Sequence, residues 1–125
     1  MISTAFGELT FQIGFKKQIE ITLFGKIVPV LLKAKAYYEQ DGLTAEQLAS
    51  LGDLHEHLTE RLQIAETLLR SKAGSHAAEC FTARTLLVQR DGEYALLLDD
   101  AEDEEEGVAV VLSPITQVLS QSEYL

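Results

Sequence analysis

A chain of 125 residues, 46% hydrophobic and 24% charged, is close to the commonest size of one domain and carries enough apolar material for a core without metal or disulfide staples. Its formal net charge of -10 disfavours nucleic acid as a partner, because such a surface repels phosphate backbones. The longest strictly apolar runs, residues 95–98 and 108–112, fall far short of the roughly twenty residues of a membrane helix, and the single cysteine, Cys80, can supply neither an internal disulfide nor a thiol-based zinc site.

The first forty residues read as strands. Phe6, Leu9, Phe11, Ile13 and Phe15 form a mostly alternating apolar series, with Gly7 and Gly14 as bends or bulges. Ile19, Ile21 and Leu23 then alternate with Gln18, Glu20 and Thr22, the pattern of a half-buried strand. Phe24-Gly25-Lys26 reads as a turn, and Ile27, Val28, Val30, Leu31 and Leu32 resume a strand in which Pro29 marks an edge or a bulge. Three strands in a meander account for this third of the chain.

A helix follows. Thr44 is placed to cap it, Gln47 to complete a capping box, and Leu43 to staple onto Leu48. Leu48, Leu51, Leu54 or His55, Leu58, Leu62, Ala65 and Leu69 make one apolar stripe. Residues 45–72 are therefore expected to form one long helix, or one broken near Gly52 and Asp53, stopped by Gly74 and followed by another helical turn or two within residues 75–83. Residues 85–89 and 93–98 read as a hairpin around Asp91-Gly92, residues 108–112 as a central strand, and residues 115–119, after Ser113-Pro114, as a short last strand. The expectation is a single α+β domain, 1–125: an antiparallel sheet of about six strands, three N-terminal and three or four C-terminal, against one long or broken helix.

The charge is unevenly spread. Residues 1–38 sum to +3 and residues 39–125 to -13, and seven acids crowd into residues 99–106: Asp99, Asp100, Glu102, Asp103, Glu104, Glu105 and Glu106. With no apolar anchor, this stretch is expected to face water as a hairpin connection, open to a cationic partner. It lacks the central glycine of a helix–loop–helix calcium loop, since Gly107 comes after the acids, and clustered exposed carboxylates do not make a hydrolytic pair.

Other candidate chemistry is sparse. His55 and His57 are two apart and cannot form an i, i+4 zinc pair, and no HExxH motif or glycine-rich phosphate loop occurs. Cys80 could share a helical face with His76, four residues earlier, but reads as a small hydrophobe; a lone thiol fits a reducing compartment, the cytoplasm. Lys33 and Lys35 share one strand face, suited to an anion or to guarding an edge. No catalytic residue, metal ligand or cofactor is assigned.

One likeness emerges in the last third. Residues 93–100 (EYALLLDD), the acids up to Glu106, residues 107–111 (GVAVV) and residues 121–125 (QSEYL), together with Leu23-Phe24-Gly25 and Leu43-Thr44 near Glu46-Gln47, resemble a family of small uncharacterised acidic bacterial proteins with a YxLLxD strand, an acidic turn and a GxAV strand. Where such patterns carry an aromatic and a histidine in the turn, this chain has Ala101 or Glu102 and Glu106. The resemblance implies a protein-binding role, some look-alikes being toxin-immunity proteins, small and acidic because nuclease toxins are basic. The expected partner is then a basic protein such as a toxin domain, with the seven acids as the contact. The competing readings are a divalent-metal or small-ligand binder or hydrolase using the acidic turn, and a structural accessory protein, a homodimer joined at the edge near Pro29.

Overall fold

The computed structural model describes residues 2–12 and 14–125, without the Glu104 side chain. Its eight strands are β1 (Ile2–Thr4), β2 (Gly7–Phe11), β3 (Phe15–Leu23), β4 (Lys26–Ala34), β5 (Phe81–Val88), β6 (Tyr94–Asp100), β7 (Asp103–Ser113) and β8 (Gln117–Ser120). They lie side by side in chain order in one sheet. Every neighbouring pair is antiparallel except β4 and β5, which are parallel. The α+β expectation holds, but the sheet is mixed rather than antiparallel and has eight strands rather than six. The helical segment between β4 and β5 carries the chain back to the end from which β4 began, so the two strands must point the same way. The N-terminal apolar series is also divided differently. A hairpin of β1 and β2 (Ile2↔Leu9, Thr4↔Gly7) takes its first part and Phe15 opens β3, while Ile13 lies outside the described residues.

β3 and β4 pair along their full length, from Phe15↔Ala34 to Leu23↔Lys26, around a two-residue turn. Phe24 and Gly25 both have positive φ, 53° and 74°, the conformation that matches a hairpin's right-handed twist. A phenylalanine there is strained. Two contacts from a helix hold it: its N–H donates to Glu66 Oε1 at 2.5 Å, and the Arg70 guanidinium lies 5.1 Å from its ring centroid. The neighbouring strands cover this hairpin incompletely. Among the described residues, β2 reaches β3 only at Thr10↔Lys16 and Phe11↔Phe15, and β5 reaches β4 only between Leu31 and Ala34. Pro29 sits where β5 does not pair, so the missing N–H costs no ladder bond on that side.

The helices are α1 (Ala45–Glu56), α2 (Leu58–Ala73), α3 (Ala77–Cys80) and α4 (Gln121–Tyr124), with 3₁₀ turns at Glu39–Asp41 and Gly74–His76. The capping box forms as expected, Gln47 N–H donating to Thr44 Oγ1 and Thr44 N–H to Gln47 Oε1. Gly74 ends α2 with φ +65°. The break, however, falls at His57 and not near Gly52 and Asp53. Gly52 stays inside α1, whereas His57, at φ -112° and ψ 20°, leaves the helix and α2 restarts beyond it.

The buried stripe is Gln47, Leu51 and Leu54 on α1, then Leu62, Ala65 and Leu69 on α2. Leu48, expected on that stripe, is 44% exposed. These side chains pack on the sheet face that carries Phe15, Ile21, Leu32, Leu86, Leu96 and Val110. Each such large side chain fully buried contributes on the order of 1.5–3 kcal/mol. Among the described residues, no helix is long and apolar enough to cross a membrane.

Candidate functional site

The acidic stretch is part of the sheet. β6 runs through Asp99 and Asp100, only Ala101 and Glu102 make the turn, and β7 begins at Asp103. Residues 99–106 are thus a braced hairpin and not a flexible loop, and the acids in it have different duties. Asp99 Oδ2 accepts from Arg84 Nε at 2.7 Å, an exposed pair that contributes little to stability. Asp100 contradicts the expectation that the whole stretch faces water. It is 7% exposed, and its Oδ1 accepts from the Glu102 N–H at 2.9 Å and from the Cys80 thiol at 3.2 Å. An aspartate bonding the backbone two residues on is a turn-forming device, and satisfying the oxygen is what permits its burial.

Glu106 Oε1 accepts the Ser122 N–H at 2.8 Å. Hydrogen bonds from Ser122 hold the Glu106 carboxyl below its ordinary range. Glu102, Asp103 and Glu105 are exposed, and their carboxylates have no hydrogen-bond or ion-pair partner among the described residues. The Glu104 side chain lies outside the described residues.

Gly107 fixes how this hairpin joins the body of the sheet. Its φ is +65°, and a Cβ there would stand 2.8 Å from the Leu98 carbonyl oxygen and 2.5 Å from Gln121 Nε2, which itself donates to that carbonyl. Gly107→Ala is therefore expected to destabilise the protein by at least about 2 kcal/mol, as a lower thermal midpoint. Gly52→Ala, inside α1 with nothing within 4 Å of the new methyl, should instead stabilise by roughly 0.5–1 kcal/mol. Equal effects of the two substitutions would contradict this account of Gly107.

The Cys80 thiol turns to Asp100 and not to His76, which is exposed in its 3₁₀ turn. Burial and then the Asp100 carboxylate push the thiol pKa up, the opposite of what a nucleophile needs. Cys80, Thr82, Arg84, Asp99, Asp100 and Ala101 line an open hollow of about 400 Å³, whose base is this neutral thiol and a carboxylate already engaged. His55 packs edge-on against Phe6, ring centroids 5.0 Å apart. His57 sits among carboxylates at the helix joint, 3.9 Å from Asp53, 3.9 Å from Glu56 and 3.6 Å from Glu60. Among the described residues, no three His, Cys, Asp or Glu side chains are placed to share a metal ion.

Lys33 faces Lys16 directly across the β3–β4 pair, an unfavourable cross-strand match. Burial first, then the charges of Lys16 and Lys35, lowers its pKa.

No family model, curated protein or solved structure matches this chain.

Proposed function

We propose that this chain is a protein-binding module for a basic protein, most specifically an immunity protein that neutralises a cationic toxin domain in the cytoplasm. The observation that carries the reading is the display of Glu102, Asp103 and Glu105, without partners of their own among the described residues, on a hairpin braced by Asp100 and Glu106. Like charges held together in water repel one another, and a cationic surface relieves that repulsion. The bracing is favourable too, since a contact already in place loses less freedom on binding. In this reading Glu102, Asp103, Glu105 and the intervening Glu104 make the contact, while Asp99, Asp100 and Glu106 support it. The likeness of the YxLLxD and GxAV segments to small acidic bacterial proteins favours the immunity form.

The test is co-expression with the product of each neighbouring gene, followed by binding kinetics over a salt series. Association should slow steeply as salt rises, and the triple substitution Glu102→Gln, Asp103→Asn, Glu105→Gln should lower the low-salt association rate about tenfold. The reading fails if none of these products binds, or if association is indifferent to both salt and the triple substitution. Stabilisation by calcium, magnesium or manganese in a thermal-shift assay would favour a metal-binding role for the hairpin instead.

A further inference from the structure

We propose that the uncovered edge of β3, with the groove between it and α2, receives an extended cationic segment of the partner protein by strand addition. The inference deepens the protein-binding reading and rests on it, but it places the contact on a second surface, away from the acidic hairpin.

Three independent observations converge on this edge. The first is backbone. Among the described residues, β2 pairs with β3 only at Lys16 and Phe15, so residues 17–23 have a strand partner on the β4 side alone. A strand with one free side presents unpaired N–H and C=O groups that can template another. The fold guards its comparable free stretch elsewhere: on β4, beyond the reach of β5, stands Pro29. No proline interrupts β3.

The second is space. A groove of about 260 Å³ opens between β3 and α2, lined by Glu20, Ile21 and Thr22 on one side and by Leu58, Leu62 and Glu66 among others on the helix. Ile21 and Leu62 are buried at its base, so the groove offers an apolar seat beside the free backbone. At one end Glu66 ties α2 to the β3–β4 turn through the Phe24 N–H.

The third is charge. The two ionisable residues lining the groove are Glu20 and Glu66, both acids. Lys17, on the same strand but outside the lining, donates to the Phe6 carbonyl oxygen, 2.9 Å from its Nζ. An incoming strand meets Ile21 on the helix face and Glu20 and Thr22 on the other, because side chains alternate. The fitting sequence therefore alternates an apolar residue with lysine or arginine. A second copy of this chain fits less well, since two molecules of net charge -10 repel each other as they approach.

The probe is a labelled octapeptide alternating valine with lysine and arginine, titrated into the ¹⁵N-labelled chain. Backbone amides of residues 17–23 should shift and gain protection from hydrogen exchange. Glu20→Lys should weaken binding about tenfold. A copy of the peptide N-methylated along its pairing edge should not bind, because strand addition needs its N–H groups. The triple hairpin variant should bind the octapeptide as the parent chain does. If the hairpin variant loses binding while Glu20→Lys keeps it, the groove inference is overturned and the protein-binding reading stands. Loss of neither, shifts confined to residues 99–106, undiminished binding of the N-methylated copy, self-association through this edge in place of peptide binding, or no binding at all would each overturn the inference as well.

Discussion

Gln47→Ala should cost about 3 kcal/mol, read as a fall in the urea midpoint at constant slope. Gln47 is fully buried and stands where the apolar stripe of α1 calls for a leucine. Its amide joins three parts of the fold. The Nε2 donates to Lys35 O at 2.9 Å and to Val88 O at 3.3 Å, at the ends of the parallel strands β4 and β5. The Oε1 accepts from the Thr44 N–H at 3.0 Å and from Arg90 Nη1 at 3.2 Å. Arg90 in turn donates to Gly42 O at 2.7 Å, and Thr44 Oγ1 donates to Arg90 O at 2.7 Å. Truncation would leave the Thr44 N–H without its partner and empty a fully buried position, while Val88 O keeps the Lys35 N–H, Lys35 O keeps Arg90 Nη1 and Arg90 keeps Gly42 O. Thr44→Ala removes the cap and the hydroxyl's bond to the Arg90 carbonyl, and should cost about 1–2 kcal/mol. If Gln47→Ala costs no more than Thr44→Ala, the interior network adds nothing.

The same residue shows how far the sequence was legible. Thr44 and Gln47 could be recognised as a capping box because that motif is local, and the box forms. That Gln47 would also be the polar joint between β4 and β5 depends on a pairing of residues more than forty apart, and no local pattern carries it. Other outcomes divide in the same way. The Asp91-Gly92 turn, the Phe24-Gly25 turn and the Gly74 stop were legible because each depends on its own residues' backbone preferences. The direction of β5 was not, since it follows from where the helical segment ends. The break at His57 had no glycine or proline to announce it. Within residues 99–106, composition revealed the charge but not its division of labour. Asp100 is buried because Cys80 and the Glu102 N–H meet it, and Glu106 is engaged because α4 returns beside β7. The spacing of Asp100 and Glu102 is a local signal that could have marked the first; the second needs the tertiary fold. The β3 groove was invisible for the same reason, because an edge is defined by which strand fails to arrive.

Tyr94→Phe and Asp53→Asn should flatten opposite limbs of the stability–pH profile. Tyr94 is fully buried, and its hydroxyl donates to Asp53 Oδ2 at 2.6 Å, while Arg61 Nη2 approaches the same oxygen at 3.2 Å. The three side chains tie β6 to α1 and α2 on either side of the His57 joint. Burial, then the hydrogen bond to Asp53, pushes the Tyr94 pKa up to about 12. The Tyr94 hydrogen bond, with Arg61 assisting, holds Asp53 below its ordinary value. A raised pKa in the folded state means that the tyrosine's contribution is complete below its unfolded value, near 10, and is lost as pH climbs toward about 12. A lowered carboxyl pKa means the reverse: the Asp53 contribution is present above its unfolded value, near 4, and is lost as pH falls through the folded one. For Tyr94 the alkaline loss is on the order of 2–3 kcal/mol. Burial also raises Tyr124 to about 12, so Tyr94→Phe should reduce the alkaline limb without abolishing it. At neutral pH Tyr94→Phe should cost about 1–2 kcal/mol, because Asp53 keeps Arg61 but loses its shortest bond. Urea midpoints from pH 3 to 12, with tyrosinate absorbance followed in parallel, read both limbs. An alkaline limb that survives Tyr94→Phe at full size, or an acid limb untouched by Asp53→Asn, would show that this junction does not couple protonation to folding.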